Sequence, residues 1–353
     1  MNSTYPEAEL IGLAEQILRD AGVPDENAAI VAHALVEADV RGMSSHGLLR
    51  LPVYVQRILK GGVDPAATGV IERESPSTVL IDGQAGLGQV IALRAMREAV
   101  ERARVTGICF VGVRNSNHFG EAAHYLSTAI QEGMIAIVGT NGSPNMPPWG
   151  GTTHLIGTLP LAIGIPAGEE TPIQLDMALG AVSKGKILNA AKAGTTIPDG
   201  WGVDRRGEPT NDPNAVLDGG WTPPIGGHKG FGLLVALEVL SGVLNGAAVG
   251  REVGDLYGVD DQPQDLGHFF VVINVEAFLP RPEFERRVDE MIGSFRSSDL
   301  APGVDKIRMP GEIEAETATT RRNRGVPMNQ DLMQELHELA HQLAVTRGTR
   351  GTG

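Results

Sequence analysis

Apolar residues near the N-terminus recur at helical spacing. Leu10, Leu13 and Ile17 mark one face of a helix predicted over Pro6 to Ala21, with Gly22 as its stop. Ala28, Val31, Leu35 and Ala38 mark a second, from Pro24 to Val40. A third face, Leu48, Leu51, Val55 and Ile58, closes on Gly61. Ser44 and Ser45 read as N-cap candidates for this third helix, and Pro52 suits its first turn. GGVDPAATG then reads as a linker.

From Ser77 the period changes. TVLID, GICFVGV and MIAIVGTNG read as short strands. Between them GLGQVIALRAMREAVERARVTG reads as a helix, and NSNHFGEAAHYLSTAIQEG opens another. Strands alternating with helices indicate an α/β sheet. LAIGIP, IQLDMA and the distant HFFVVINVEAF add strands without clear crossover helices, so part of the sheet is expected to be antiparallel. The stretch Ile197 to Gly227 lacks periodicity and reads as a long functional loop. KGFGLLVALEVLSGVLNGA follows as an apolar helix, and MNQDLMQELHELAHQLAV as an amphipathic one before a frayed RGTRGTG tail.

Composition narrows the class. With 353 residues, 42% hydrophobic and 20% charged, the chain is long enough for two packed domains. A net charge of −14 without a basic stripe argues against nucleic acid or an anionic membrane as partner. The lone Cys109, in an apolar strand, excludes a disulfide framework and a cysteine zinc cluster. No signal sequence or membrane-length apolar run is evident, so a cytoplasmic location is expected.

Three motif matches need weighing. Gly83, Gly86 and Gly88 reverse the dinucleotide fingerprint, and the next strand ends in Arg114 rather than an acid, so they read as a tight turn. GAVSKGK has phosphate-loop spacing but Ile187 where a hydroxyl should hold Mg²⁺. His337, Glu338 and His341 complete H-E-x-x-H, which on a helix could hold zinc beside a general base. Almost no chain remains for a third ligand, so no metal is expected, and a zinc metallohydrolase stays only as the different-class alternative.

The remaining candidates are histidines and anion sites. His46 sits at a helix start with Arg50 about one turn in, where the guanidinium could grip a carboxylate; an ordinary capped helix is the plainer alternative. His118, in NSNHFG, lies at a strand-to-helix junction, and Ser116 or Asn117 could equally be a simple cap beside a bystander His. TNGSPNMPPWGG could wall a pocket. GGHKGFG places Lys229 among glycines at a helix start, the best phosphate site in the chain. Asp176 could hold ribose hydroxyls or cap a turn. Together these fit hydride transfer between a nicotinamide cofactor and a 2-hydroxy or 2-oxo acid.

RGMSSHGLLRLPVYVQRI, DGQAGLGQV, NSNHFGEAAHYLSTA, TNGSPNMPPWGG with GTLPLAIGIP, LDMA with GKI, GGHKGFGLLVALEVLSGVL and MPGE occur here in one order. In that series the chain resembles the type-2 malate/L-lactate dehydrogenase family, from about the first helix to Glu312. That family also includes ureidoglycolate and sulfolactate dehydrogenases, diketogulonate reductase and the piperideine- and pyrroline-2-carboxylate reductases. The resemblance implies an α/β fold like that of L-sulfolactate dehydrogenase, a mixed sheet with a non-Rossmann NAD(P)-binding domain plus a mainly helical region. On this chain the helical region would be residues 1–72 joined by a C-terminal helix 313–353, and residues 73–312 the mixed-sheet domain. It implies NAD or NADP as cofactor, a small carboxylate substrate and a homodimer. His46 would be the proton donor or acceptor supported by Ser45, with His118 the second active-site histidine. Arg50, Met146 and Thr158 would face the substrate. Asp176, Met177, Ala178, Lys229, Gly230, Gly311 and Glu312 would contact the cofactor. The alternative within the family is a reductase of a cyclic imino acid or diketo sugar acid. Gly142, Leu159, Leu179, Gly180 and His228 depart from the common pattern, and His228 could favour NADP by pairing with a 2′-phosphate.

Overall fold

The computed structural model describes residues 2–258 and 261–350. Strand β1 (Asn2–Tyr5) leads into α1 (Glu7–Asp20) and α2 (Asp25–Arg41). Two 3-10 turns, Ser44–His46 and Leu48–Arg50, precede α3 (Leu51–Lys60). Helices α2 and α3 both close on a glycine in the left-handed region, Gly42 and Gly61. The sheet region holds β2 (Val70–Glu74), β3 (Thr78–Asp82), α4 (Gly88–Thr106), β4 (Ile108–Ser116), α5 (Ala123–Gln131), β5 (Met134–Thr140), β6 (Pro160–Ile165) and β7 (Ile173–Ala178). There follow α6 (Lys184–Ala193), β8 (Gly202–Val203), β9 (Pro209–Thr210), α7 (Pro213–Leu217) and α8 (His228–Glu238). The chain ends with β10 (Leu266–Asn274), α9 (Arg281–Arg296), α10 (Glu312–Arg324), β11 (Val326–Asn329) and α11 (Gln330–Arg350).

The main sheet has seven strands in the order β2-β3-β4-β10-β5-β6-β7. Only β3 and β4 run parallel, joined by the crossover helix α4; every other neighbouring pair is antiparallel. The mixed α/β fold expected from the sequence is therefore present. Strand β10 sits at the centre, which explains its unbroken apolar run FFVVI: a strand covered on both faces has no solvent side to keep polar. Helices α4 and α5 cover one face, packing on Val111, Val138 and Phe270. Helix α8 covers the other, with Leu234 and Leu237 against Phe269 and Met146. Each such fully buried side chain contributes about 1.5–3 kcal/mol of transfer free energy.

The structure departs from the sequence reading in several places. Ser44 and Ser45 cap no helix, because tight turns intervene before α3 begins. NSNHFG does not open a helix: the chain stays extended through Ser116, and α5 starts only at Ala123. The stretch 197–227 contains a small β8–β9 hairpin and the short α7, whose start is capped by Asp212. The C-terminal segment is two helices interrupted by β11, which pairs with β1. Both helices, with β11, pack on α1–α3 through Ala318, Val326, Met333 and Leu336. The predicted tail begins as the end of α11, and its last three residues lie outside those described.

Candidate active site

The turn carrying His46 is built on a buried acid. Asp39, on α2, is 2% exposed, and its Oδ2 accepts the Leu48 amide at 2.7 Å. A Cβ on Gly47 would overlap that carboxylate, so only glycine lets the turn close onto it. Burial, the largest effect, raises the Asp39 pKa to about 6, against the opposing bonds from Leu48 and the Ser44 side chain. The Ser44 hydroxyl thus serves this acid rather than a helix. Arg321 of α10 donates to the Asp39 carbonyl and fixes the same turn from the C-terminal segment.

His46 leaves this turn half-buried, with Nδ1 2.9 Å from Ser45 Oγ. Its ring stacks on His118, centroids 5.8 Å apart and planes 14° from parallel. His118 reaches this position because β4 overruns its helix side. The His118 amide donates to Gln264 Oε1 at 3.0 Å, and Asn117 donates to the Ala85 and Gly86 carbonyls. A Cβ on Gly88 would overlap the Asn117 and His118 carbonyls. The reversed glycine motif is therefore the seat of the His118 loop. His118 Nδ1 lies 2.7 Å from Tyr54 Oη, which also receives Gln89 Nε2 at 3.0 Å.

Both imidazoles share one arrangement. Each has Nδ1 tied to a hydroxyl, and each Nε2 has no hydrogen-bond partner among the described residues. Burial first, then the Arg50 charge, pulls the His46 pKa down to about 4. Burial first, then His46, holds that of His118 well below the ordinary range. At neutral pH both rings are uncharged and able to exchange a proton. Arg50 donates Nε to the Ser45 carbonyl at 2.7 Å and Nη1 to the Tyr257 hydroxyl, with its guanidinium 5.5 Å from the Tyr257 ring centroid. Arg57, fully buried, holds the segment bearing Tyr257 through the carbonyls of Asp255, Gly258 and Gln262.

The expected cofactor residues fall on two joined surfaces. Lys229 is exposed in the first turn of α8 and bonds to no side chain among the described residues. A Cβ on Gly230 would overlap the Ile225 carbonyl, so this helix start is bare backbone beside a free cation. That donor set suits a phosphate. The Ile225 amide bonds to the Leu179 carbonyl at 2.9 Å, linking the α8 entry to the end of β7. Along β7, Asp176 accepts the Ala123 amide at 2.8 Å and so caps α5, while Met177 turns to the opposite face and Ala178 is exposed. Gly311 packs against β7, where a Cβ would stand 2.9 Å from that of Gln174. Glu312 is buried, bonded to the Met309 amide at 3.1 Å and to Arg296, so it closes its own turn. Beside Asp176, Arg41 pairs with buried Glu121 at 3.1 Å. Burial, followed by opposing help from Arg41, leaves the Glu121 pKa at about 7.

Thr158 is half-buried and accepts from Asn145 Nδ2 at 3.1 Å. Met146, expected in the substrate wall, has no exposed surface and packs beneath that loop with Leu159, Leu179 and Leu234. His228, considered for a 2′-phosphate, is exposed and stands edge-on to Trp149, ring centroids 6.3 Å apart. His337, Glu338 and His341 lie exposed on α11, and no group of three potential metal ligands occurs among the described residues.

Sequence reasoning missed Tyr54, Gln89, Asp39, Arg57 and Gln264, and a third histidine. His268 is wholly buried in β10, with Nδ1 2.7 Å from Thr140 Oγ1 and Nε2 2.9 Å from Ser116 Oγ. Ser116 is therefore a partner of His268, not a helix cap.

A sequence profile of the family described as malate/L-lactate dehydrogenase matches residues 5–337. The malate dehydrogenase of Pyrococcus abyssi is 40% identical over 347 residues, covering 96% of this chain and 95% of that one. The L-sulfolactate dehydrogenase of Methanocaldococcus jannaschii is 39% identical over 329 residues, covering 93% and 94%. A solved sulfolactate dehydrogenase from Methanocaldococcus jannaschii matches with a TM-score of 0.92 at 37% identity, over 97% of this chain and 98% of that one. The chain belongs to the malate/L-lactate dehydrogenase family, as an oxidoreductase that interconverts small 2-hydroxy acids and 2-oxo acids with NAD or NADP.

Proposed function

We propose that the cleft between the Ser44–Arg50 turns and the His118 loop is where the hydroxy acid reacts, and that its substrates are of the malate or sulfolactate kind acted on by the relatives. The observation that carries this is the stacked pair His46 and His118, each with one ring nitrogen anchored and one uncommitted, beside Arg50. Arg50 binds the substrate carboxylate with the fork of its guanidinium. His46 Nε2 takes the C2 hydroxyl proton in oxidation and returns it in reduction. Ser45 Oγ accepts from Nδ1 in the tautomer that leaves Nε2 free. His118 contacts the same oxygen from the other side. When bound, the nicotinamide takes up or supplies the hydride at C2.

Lys229 and the bare amides around Gly230 hold the cofactor phosphates. Asp176, Met177 and Ala178 with the Gly311–Glu312 turn form the second contact along β7. Asp176 Oδ1, unbonded among the described residues, serves as the acceptor there. Thr158 walls the substrate side, and Met146 supports that wall from below. Residues 1–72 with 313–353 form one domain and 73–312 the other, a division supported by the common packing of α1–α3, α10 and α11. A second copy of the chain covers the outer face of α8 and the turn after it. Val235, Val239, Val243 and Leu244 there are each between 41% and 59% exposed. The compartment is cytoplasmic, consistent with one buried thiol, and no described helix is long and apolar enough to cross a membrane.

A nicotinamide absorbance assay across malate, sulfolactate, lactate, ureidoglycolate and Δ1-piperideine-2-carboxylate tests the substrate class. Turnover of malate or sulfolactate at least about tenfold above the others is expected, a margin of roughly 1.4 kcal/mol in transition-state binding. Preferential reduction of the cyclic imine would replace this reading with the reductase alternative.

A further inference from the structure

Tyr54 lies within the motif RGMSSHGLLRLPVYVQRI without an assigned role, yet it touches the active-site pair directly. It stands on α3 at 4% exposure, with its oxygen 2.7 Å from His118 Nδ1 and 3.0 Å from Gln89 Nε2. The two contacts are not equivalent. An amide N–H can only donate, so toward Gln89 the phenol oxygen accepts. Its single proton is then available only to His118 Nδ1. A ring nitrogen that accepts a hydrogen bond carries no proton, and a neutral imidazole must carry its proton on the other nitrogen.

We infer that Tyr54, backed by Gln89, is a positioning residue that fixes His118 as the tautomer protonated on Nε2. Three features support this. Tyr54 and Gln89 are both buried, so no solvent competes for the phenol proton. The His118 main chain is held independently by Gln264, and its loop by Asn117, which keeps Nδ1 aimed at Tyr54. Burial also holds His118 uncharged, so that one ring nitrogen must act as acceptor. Resting on the function proposed above, this divides the labour within the pair. In oxidation the substrate hydroxyl proton passes to His46 Nε2 and the C2 hydrogen leaves as hydride to the cofactor. His118 keeps its Nε2 proton throughout and donates a hydrogen bond to the same oxygen. Such a donor stabilises the charge that develops on that oxygen, whereas a second lone pair would repel it.

Nitrogen-15 NMR of the ligand-free protein, with His118 assigned by its absence in His118→Ala, tests the inference. At pH 7 the wild type is expected to show His118 protonated on Nε2, and Tyr54→Phe to move the ring towards Nδ1 protonation. Gln89→Met, which keeps the hydroxyl, is expected to give a smaller move. A wild-type His118 protonated on Nδ1 overturns the inference, and so does a tautomer unchanged in Tyr54→Phe. If Tyr54→Phe does not fold, the wild-type spectrum and Gln89→Met decide alone. With whichever hydroxy acid is turned over, Tyr54→Phe should lower kcat about tenfold or more while KM stays within about twofold. A fall in kcat without a tautomer change counts against Tyr54. The expected tautomer shift in a protein that turns over none of the hydroxy acids would uphold Tyr54 and sink the proposed function instead.

Discussion

His46 and His268 are both histidines removed from bulk water, and their surroundings separate the imidazole proposed to react from one that holds the fold together. His46 has one ring nitrogen bonded and one uncommitted, and its ring faces a second imidazole. His268 has both nitrogens bonded, to Thr140 and Ser116, and lies flat on Phe119 with centroids 4.7 Å apart. Burial depresses both, His46 to about 4 and His268 to about 3, so a perturbed pKa does not distinguish them. The uncommitted nitrogen does. A ring whose two nitrogens are already satisfied has nothing to offer a substrate, whatever its proton affinity.

The largest effect should come from His46. Replacement by alanine removes the nitrogen proposed to transfer the proton and is expected to lower kcat by about 10²–10⁴. Cofactor binding, followed by nicotinamide fluorescence, should stay within about twofold because the proposed phosphate and β7 contacts are untouched. Equal losses of turnover in His46→Ala and in a His268 variant of undiminished stability would erase the distinction between the two histidines.

The contrast also shows what was legible in the sequence. His46, Arg50 and His118 stood out because polar residues interrupted a predictable pattern: a helix start for the first two, a strand end for the third. Lys229 stood out among glycines for the same reason. Tyr54 did not, since it falls within the apolar stripe of α3 beside Leu51 and Val55 and reads as core. Its chemistry exists only because α3 crosses the end of β4, a contact spanning 64 positions. His268 was hidden likewise, inside a strand whose run HFFVV marks burial without saying what lies opposite. The central place of β10 was not legible either, because pairing with β4 and β5 depends on a return from far along the chain. Helix α10 fell almost wholly inside the 313–353 helix that the resemblance implied, but its own pattern did not announce it, for the reverse reason. It is polar nearly all round, burying only Glu312 and Ala318, and so lacks the stripe that period-finding needs. In α9 the signal was present in Phe284, Val288 and Ile292, which mark one face.

His268→Gln sharpens the comparison at a smaller scale. One amide can satisfy one of the two hydroxyls, and the unmatched buried partner should cost about 1–3 kcal/mol in stability. Turnover of the folded enzyme should fall less than about tenfold, since no reacting group is lost. The pH dependence gives an independent check. The folded pKa of His268 lies near 3, below the 6.5 of an unfolded histidine. As pH falls below 6.5 the unfolded chain takes up a proton that the folded protein refuses, so the wild type loses stability towards pH 3. Glutamine has no such proton. The stability gap between wild type and variant is therefore widest above pH 6.5, and narrows on acidification by at most about 1.4 kcal/mol per pH unit. Urea denaturation of both proteins at pH 7.5 and 5 measures it; a gap that widens in acid contradicts a neutral, doubly bonded His268.

The smallest effect belongs to a third kind of histidine. His337 and His341 sit one turn apart on the outer face of α11, exposed, with Leu336 and Leu343 carrying the packing. They line an open surface depression with Gln334 and Gln342, but no third metal-ligating side chain joins them among the described residues, and Glu338 bonds to Gln334 at 2.8 Å. An uncommitted nitrogen therefore matters only where the fold also brings a partner group to face it. The double variant His337→Ala with His341→Ala should change stability by no more than about 0.5 kcal/mol. Hydroxy-acid turnover should be unaltered, and zinc content, measured on protein purified without a His tag, should be negligible in variant and wild type alike. Stoichiometric zinc in the wild type, lost in the variant together with activity, would show that spacing along a helix had outweighed the surroundings.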